Sequence, residues 1–194
     1  MISEKIVTVF GSSRPESGDP DYEEARALGK ALAQRGFAVC TGGYGGTMEA
    51  ASRGAKEVGG KTYGVTAEFF GKNANAWIDV EIRKTTWDER LFTLIKMGDG
   101  FVACKGGTGT LVELAVVWEM LNKSVMTDKP MVVLGNFWRP ILDRVREVEQ
   151  RPKNKSGSPV WGEANGELVQ VVATVAEAAK HLGNKMRNGT ATRR

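Results

Sequence analysis

Short apolar strand patterns alternate with helical patterns along most of this 194-residue chain. Segments that are short, apolar and rich in β-branched residues predict strands at 5–10, 37–41, 62–66, 100–104, 130–134 and 168–172. Residues 78–83 alternate apolar and polar side chains, which predicts a short strand or an extended segment. Strands that alternate with helices form parallel sheets covered on both faces. We therefore predict a single-domain α/β protein with a Rossmann-like, three-layer fold and a mostly parallel sheet.

Helical spacing and start and stop signals predict six helices between these strands. The first begins near Asp19 and ends at Gly36, and the others span about 47–58, 86–97, 110–121, 141–149 and 175–182. Residues 67–77 are typical of a loop or lid, and residues 151–159 of an exposed loop. We expect one domain over residues 1–183, because no linker interrupts it, and a flexible C-terminal tail over 184–194.

Two glycine clusters lie between a predicted strand and a predicted helix, at 42–46 (GGYGG) and 106–109 (GGTG). Glycine lets the backbone approach a ligand closely, and a helix N-terminus favours a phosphate. Neither cluster has GxGxxG or Walker spacing, so one cluster alone fits a tight turn equally well. Two clusters at the same edge of a parallel sheet favour ligand binding.

Two charged side chains accompany the second cluster. Glu113 follows Gly109 by four residues in the first part of the predicted helix, and Arg90 lies inside the preceding helix. From residue types alone, Glu113 is explained as a surface carboxylate near a helix N-terminus. Arg90 is explained as an exposed or ion-paired arginine. A ligand-binding or catalytic role needs further support.

Composition narrows the chemistry. The formal charge is +4, from 27 basic and 23 acidic residues whose signs alternate along the helices, which argues against nucleic-acid binding. No apolar stretch is long enough to span a membrane, and the N-terminal residues lack the pattern of a secretory signal, so we expect a cytoplasmic protein. Two cysteines without CxxC spacing and a single histidine predict neither a metal site nor a histidine base. No cofactor is predicted.

The motifs resemble those of a known family. Residues 7–66, which begin VTVFGSSRPES, resemble the opening half of the LONELY GUY (LOG) family of cytokinin-activating phosphoribohydrolases. The second half continues the match with Glu89-Arg90, with GGTGTLVE at 106–113 and with KPMVVLGNFWRPIL at 129–142. The resemblance covers about residues 5–182. The same superfamily includes molybdenum-cofactor carrier proteins, which keep the glycine loops without glycosidase function.

The resemblance implies a nucleoside monophosphate as the ligand and Arg90 and Glu113 as the catalytic pair. The pair would cleave the N-glycosidic bond of AMP or of an N6-modified AMP, giving the free base and ribose 5-phosphate. The implied phosphate and ligand contacts are Ser12, Gly43, Gly45, Gly46, Thr47, Lys105, Gly106, Gly107, Thr108, Gly109 and Thr110. A homodimer or a higher homo-oligomer is also implied, for which Trp118, Met120 and Leu121 would supply apolar surface, although core packing is the commoner use.

The chain also departs from the family pattern. Lys105 replaces the proline of the PGGxGTxxE signature, Glu49 stands where glycine is usual, and Trp87 and Leu91 change the segment around Arg90. These departures favour an alternative hypothesis, a non-catalytic carrier of a nucleotide-like or pterin-type cofactor. A pyridoxal-dependent lysine decarboxylase, a label long given to relatives, is disfavoured because no lysine has a recognisable Schiff-base context.

Overall fold

In the computed structural model, residues 4–126, 129–149 and 168–188 are described, and they contain seven strands and six α-helices. The strands are β1 Ile6–Phe10, β2 Ala38–Thr41, β3 Thr62–Ala67, β4 Val80–Lys84, β5 Gly100–Ala103, β6 Met131–Leu134 and β7 Val169–Val172. The helices are α1 Pro20–Gln34, α2 Thr47–Lys56, α3 Trp87–Met97, α4 Thr108–Asn122, α5 Arg139–Glu149 and α6 Val175–Asn188. This alternation confirms the predicted fold class.

The seven strands form one sheet in the order β4-β3-β2-β1-β5-β6-β7, and every neighbouring pair is parallel. The strand order reverses between β1 and β5, which pair through Val9 with Val102 and their neighbours. Ligands of open parallel sheets bind outside the carboxyl ends of the strands at such a reversal. A ligand is therefore expected at the loops that follow β1 and β5, and the second glycine cluster follows β5.

The period-two pattern of the strands divides the core into two layers. Val7 and Val9 pack in one apolar cluster with side chains of α1, α2 and α6. Phe10 and Phe101 stack in the other cluster, with side chains of α3, α4 and α5. The central strands are buried on both faces, as a parallel sheet covered by helices requires. The three-layer arrangement was thus predictable from the apolar strand runs.

Several boundaries differ from the sequence-based prediction. Helix α4 begins at Thr108 instead of residue 110, so Thr108, Gly109 and Thr110 form its first turn. The segment predicted as a loop or lid contains a short 3-10 helix, Glu68–Phe70. Helix α6 continues to Asn188, past its predicted end near residue 182, because Met186 still packs in the core. The predicted exposed loop at 151–159 lies outside the described residues, as do residues 189–194 of the predicted tail.

Within the described part of the chain, no helix is long and apolar enough to cross a membrane.

Candidate functional site

The second glycine loop leaves the N-terminus of α4 open. The N–H groups of the first turn have no acceptor within the helix, since the first helical turn closes with Leu111 N donating to Gly107 O at 3.0 Å. A Cβ atom added at Gly107 or at Gly109 would meet nothing within 4 Å, and neither residue has a positive φ. Packing within the described residues therefore does not require glycine here, and the open space suits a phosphate.

Thr110 and Thr108 have different positions in this loop. Thr110 is only 3% exposed, and its side chain lies against Gly106 so closely that a Cβ at Gly106 would overlap it. Thr108 is exposed at the rim. Gly106 and Thr110 thus shape the loop from behind, although Thr110 also reaches the cleft described below.

Three glycines of the first loop, Gly42, Gly43 and Gly46, are packed against the rest of the protein. Gly46 has a φ of +69°, and a Cβ there would overlap the backbone of Ser12 and Ser13. Gly43 has a φ of +77°, and its carbonyl accepts hydrogen bonds from the backbone and side chain of Asn75. Thr47, which begins α2, is buried and donates its N–H to Ser12 O at 2.8 Å. These residues join neighbouring loops instead of opening a surface.

Helix α3 carries Arg90 into the interior. Its N-terminus has a capping box, in which Thr86 accepts from the backbone of Glu89 and the Glu89 carboxylate accepts from the backbone of Thr86. Glu89, the acidic half of the family-like Glu-Arg motif, is therefore used to fix the start of the helix. Arg90 lies on the buried side, with 7% of its surface exposed.

A socket holds the Arg90 guanidinium in one orientation. Nε donates to Val65 O at 2.8 Å and Nη2 donates to Gly42 O at 3.1 Å. The group also lies over the rings of Tyr44 and Phe70, at 5.4 and 5.6 Å from their centroids. A Cβ at Gly42 would overlap Nη2, so glycine at that position makes room for the arginine. Nη1 remains directed to the carboxylate of α4.

That carboxylate belongs to Glu113, whose Oε1 lies 4.0 Å from Arg90 Nη1. The Glu113 side chain is 14% exposed, and burial raises its pKa to about 7 although the Arg90 charge acts in the opposite direction. Burial also lowers the pKa of Arg90, and Glu113 offsets part of that effect. Arginine nevertheless stays charged in proteins. The structure therefore brings together the predicted pair, with a carboxyl group that titrates near neutral pH.

The pair lies in a cleft of about 380 Å³ that both glycine loops border. The open N-terminus of α4 and Ser12 form one part of its lining. Aromatic and apolar side chains form another part, called here the aromatic end: Tyr44, Met48, Phe70, Trp87 and Leu91, together with the exposed Lys72. From the first glycine loop itself only Tyr44 lines the cleft, whereas Gly43, Gly45, Gly46 and Thr47 lie outside its lining.

Lys105 lies in a different place. Its ammonium group pairs with Asp21 at 2.8 Å on the surface, and it lines a larger neighbouring cleft of about 880 Å³. Ser12, Arg14, Gly107 and Thr108 line both clefts, so the second glycine loop lies between them. Lys105 is therefore close to the predicted phosphate site but not in the cleft with Arg90 and Glu113.

Two further departures from the family pattern have structural explanations. The Glu49 carboxylate accepts a hydrogen bond from Tyr22 OH at 3.0 Å, which ties α2 to α1, and it does not line the cleft. Trp87 lines the cleft beside Arg90 and is 41% exposed. Trp87 and Leu91 are thus the departures that line the cleft, while Glu49 changes the contact between two helices.

Sequence reasoning missed the residues Phe70, Lys72 and Arg14 of the cleft and gave Tyr44 no role. Phe70 and Lys72 come from the segment predicted as a loop or lid, and Asn75 of the same segment donates to the carbonyls of Gly43 and Tyr44. An aromatic pair in an otherwise polar loop, Phe69 and Phe70, was the available signal.

Other candidate chemistries find little support among the described residues. No group of three or more histidine, cysteine or acidic side chains there could hold a metal ion. Cys40 and Cys104 are free and buried, and burial raises the pKa of both thiols to about 12. Trp118 and Leu121, which were offered as partner surface, pack in the core cluster. The homodimer itself stays a prediction.

Comparison with known proteins now identifies the family. A model of the SLOG cluster4 family matches residues 4–157. The chain belongs to this family. The cytokinin riboside 5′-monophosphate phosphoribohydrolase of Rhodococcoides fascians is 29% identical to this SLOG protein over 152 residues, 74% of this chain and 75% of that one. The protein of the same name from Mycobacterium marinum is 36% identical over 122 residues, 59% of this chain and 64% of that one.

Among solved structures, the molybdenum cofactor binding protein of the phototrophic bacterium Rippkaea orientalis matches this SLOG protein with a TM-score of 0.73. The two are 23% identical, and the match covers 95% of this chain and 98% of the other. At that identity the likeness shows the shared fold. Together with the named relatives, it confirms the resemblance to the LOG family and its carrier relatives.

Proposed function

We propose that this SLOG protein is a nucleoside 5′-monophosphate phosphoribohydrolase, which releases a free base and ribose 5-phosphate. The observation that carries the proposal is the Arg90–Glu113 pair in a cleft whose lining also includes an open helix N-terminus and several aromatic side chains. The names of the two relatives from Rhodococcoides fascians and Mycobacterium marinum support the same reaction class. A purely structural ion pair would not need such a cleft.

The 5′-phosphate would bind at the first turn of α4, where the N–H groups and the helix dipole favour an anion. Gly107 and Gly109 leave that space free, and Thr108 and Ser12 supply hydroxyl groups at its rim. With the phosphate there, the ribose would lie beside Glu113, and the base would enter the aromatic end. Lys105 would contribute long-range attraction from the neighbouring cleft, because its ammonium group is paired with Asp21.

In the reaction, the bond between C1′ and the base nitrogen breaks with its electron pair leaving on the base. The sugar becomes oxocarbenium-like, and the oxygen of a water molecule bonds to C1′. The Glu113 carboxylate would stabilise the positive charge and accept a proton from that water. The departing base takes one proton from solvent, and Glu113 returns the proton it accepted to solvent, so the overall proton count is unchanged. Arg90 would hold Glu113 in place, since its own carbonyl contacts fix the guanidinium.

The pKa of Glu113 predicts the pH dependence. Only the deprotonated carboxyl group can stabilise the cation or take a proton. Because burial raises that pKa to about 7, kcat/KM should rise tenfold per pH unit below about 7 and level off above it. An acid limb near the ordinary pKa of glutamate would contradict this assignment.

The direct test measures base release from AMP, isopentenyl-AMP and IMP by the purified full chain. We expect Glu113→Gln to lower kcat about 10³-fold, while binding of the monophosphate changes little. Glu119→Gln is the matched control, since Glu119 is an exposed carboxylate on the same helix. Absence of release from all three nucleotides at high enzyme concentration would refute the proposed activity.

A second candidate function is a carrier that binds a nucleotide-like or pterin-type cofactor without cleaving it. The exposed Trp87 in the cleft supports it, because an added aromatic wall suits a flat ring that is held instead of released. The fold likeness to the Rippkaea orientalis protein is consistent with it. Native mass spectrometry of the purified protein decides between them: a retained small molecule without base release favours the carrier.

A further inference from the structure

The aromatic end of the cleft has the shape of a ring-binding site. Tyr44 and Phe70 pack edge to face with centroids 5.6 Å apart, and Trp87 lies on the neighbouring helix α3. The Tyr44 hydroxyl donates to Ala67 O and accepts from Ala67 N, so its own hydrogen-bonding groups are occupied. Tyr44 and Phe70 therefore offer stacking without a free polar group, and the indole N–H of Trp87 can only donate.

Lys72 is a charged residue at this end that can distinguish one purine from another. It follows Phe70 by two residues and lines the same cleft, and its backbone carbonyl accepts from Arg83 at 3.5 Å. Among the described residues, no ion pair or hydrogen bond engages the Lys72 ammonium group. Among the residues that the structure describes, Glu113 is the only carboxylate that lines the cleft, and it lies beside the proposed ribose. The other charged side chains that line the cleft, Arg14, Lys72 and Arg90, are donors alone, and Lys72 is the one that follows the aromatic Phe70 in the chain.

Purines differ at the edge that is remote from the sugar. A 6-oxopurine presents two acceptors there, O6 and N7, whereas adenine presents the N7 acceptor and an amino donor. An ammonium group can donate to O6 and N7 together. It cannot form a hydrogen bond with the amino group of adenine, because both groups are donors. An oxopurine is therefore the better complement to Lys72.

We propose that Lys72 selects the base, and that the preferred ligands are 6-oxopurine nucleoside 5′-monophosphates, with 6-aminopurine nucleotides such as AMP disfavoured. This inference rests on the proposed function for the placement of phosphate and base. It separates the protein from the two relatives whose names specify cytokinin riboside monophosphates. Lys72 acts here as a specificity residue. The roles proposed for Arg90 and Glu113 stay the same.

The test compares IMP with AMP, which have the same sugar and phosphate. The full chain should show a kcat/KM for IMP about fivefold above that for AMP, the effect of one charged hydrogen bond at a solvent-exposed rim. Lys72→Gln, whose amide both donates and accepts, should make the two substrates nearly equal. Lys72→Glu, which only accepts, should reverse the preference. Lys30→Gln is the control, because it removes an exposed lysine of α1 outside the cleft.

Three results would overturn the proposal. One is a wild-type kcat/KM for AMP equal to or above that for IMP. Another is an equal loss for both substrates in Lys72→Gln, which would make Lys72 a general contact to the nucleotide. If no base is released from either substrate, the proposed activity fails, and base selection is then tested by binding. Calorimetry gives the Kd values for IMP and AMP in the wild-type protein and the three variants. Equal Kd values for the two nucleotides in the wild-type protein are the third result.

Discussion

The two glycine loops look alike in sequence but serve opposite purposes. In the first loop, the positive φ angles of Gly43 and Gly46 and the overlap at Gly42 show that contacts within the protein require glycine. In the second loop, Gly107 and Gly109 have ordinary backbone angles and empty space where a Cβ would stand. The first loop is therefore part of the packed framework, and the second keeps a surface open.

This difference assigns the two loops different parts of the site. The first loop contributes a carbonyl and a ring to the socket of Arg90, through Gly42 and Tyr44. The second loop contributes the open helix N-terminus and, one turn later, Glu113. A glycine-rich motif can thus arise for two physical reasons, close packing within the protein or close approach of a ligand. The atoms around each glycine show which of the two reasons applies.

The sharpest test of this comparison is one Gly→Ala change in each loop. Gly46→Ala places a Cβ against the Ser12–Ser13 backbone at a positive φ, and we expect it to lower the free energy of unfolding by roughly 3 kcal/mol. Gly109→Ala should leave stability within about 1 kcal/mol, or raise it, because alanine favours the helix. Chemical denaturation measures both.

The same two substitutions, Gly46→Ala and Gly109→Ala, also distinguish a glycine needed for packing from a glycine that contacts the ligand. Gly109→Ala should weaken binding of a nucleoside monophosphate about tenfold although the protein remains folded, since the added methyl group occupies the space above the first turn. Calorimetric titration with AMP and IMP gives the affinity. Similar destabilisation by both substitutions, or unchanged affinity in Gly109→Ala, would remove the distinction between the loops.

The Arg90–Glu113 pair joins the two loops and has its own signature in the pH dependence of stability. The folded-state pKa of Glu113 is raised to about 7 from an ordinary value of 4.5, so the folded state binds the extra proton between these values. The contribution of Glu113 to stability is therefore fully present below about pH 4.5. As the pH rises to about 7 this contribution is lost, which lowers the free energy of unfolding by up to roughly 3 kcal/mol. Thermal unfolding at pH 5 and pH 8 should show a larger decrease for wild-type protein than for Glu113→Gln. Equal decreases would mean that the carboxyl group is not desolvated.

The smallest effect is expected at the beginning of the second loop. Lys105 is exposed and paired with Asp21, so Lys105→Gln should change the melting temperature by no more than ~2 °C. Affinity for a monophosphate should fall by about twofold or less, and the loss should vanish in high salt, because the charge acts from the neighbouring cleft. A large, salt-resistant loss would place Lys105 in direct contact with the phosphate.

Much of the architecture was predictable because it follows from chain direction and apolar pattern. Alternating strand and helix segments predicted the parallel sheet, whose strand carboxyl ends share one edge. The pairing of Arg90 with Glu113 was predicted from the family resemblance. Boundaries were less predictable: α4 begins two residues early at Thr108, and α6 continues to Asn188, where Met186 still finds apolar neighbours. Tertiary packing decides where a helix ends.

The sequence by itself determined the fold class, the family resemblance and the pairing of a basic and an acidic residue near a glycine loop. Only the tertiary structure decided which glycines face open space, that Glu49 turns to Tyr22, and that Phe70 and Lys72 border the cleft. The physical reason is that periodicity and strand direction are local properties of the chain. The direction of a loop side chain depends instead on contacts with segments that are distant in sequence, as Asn75 shows when it ties its own segment to the first glycine loop.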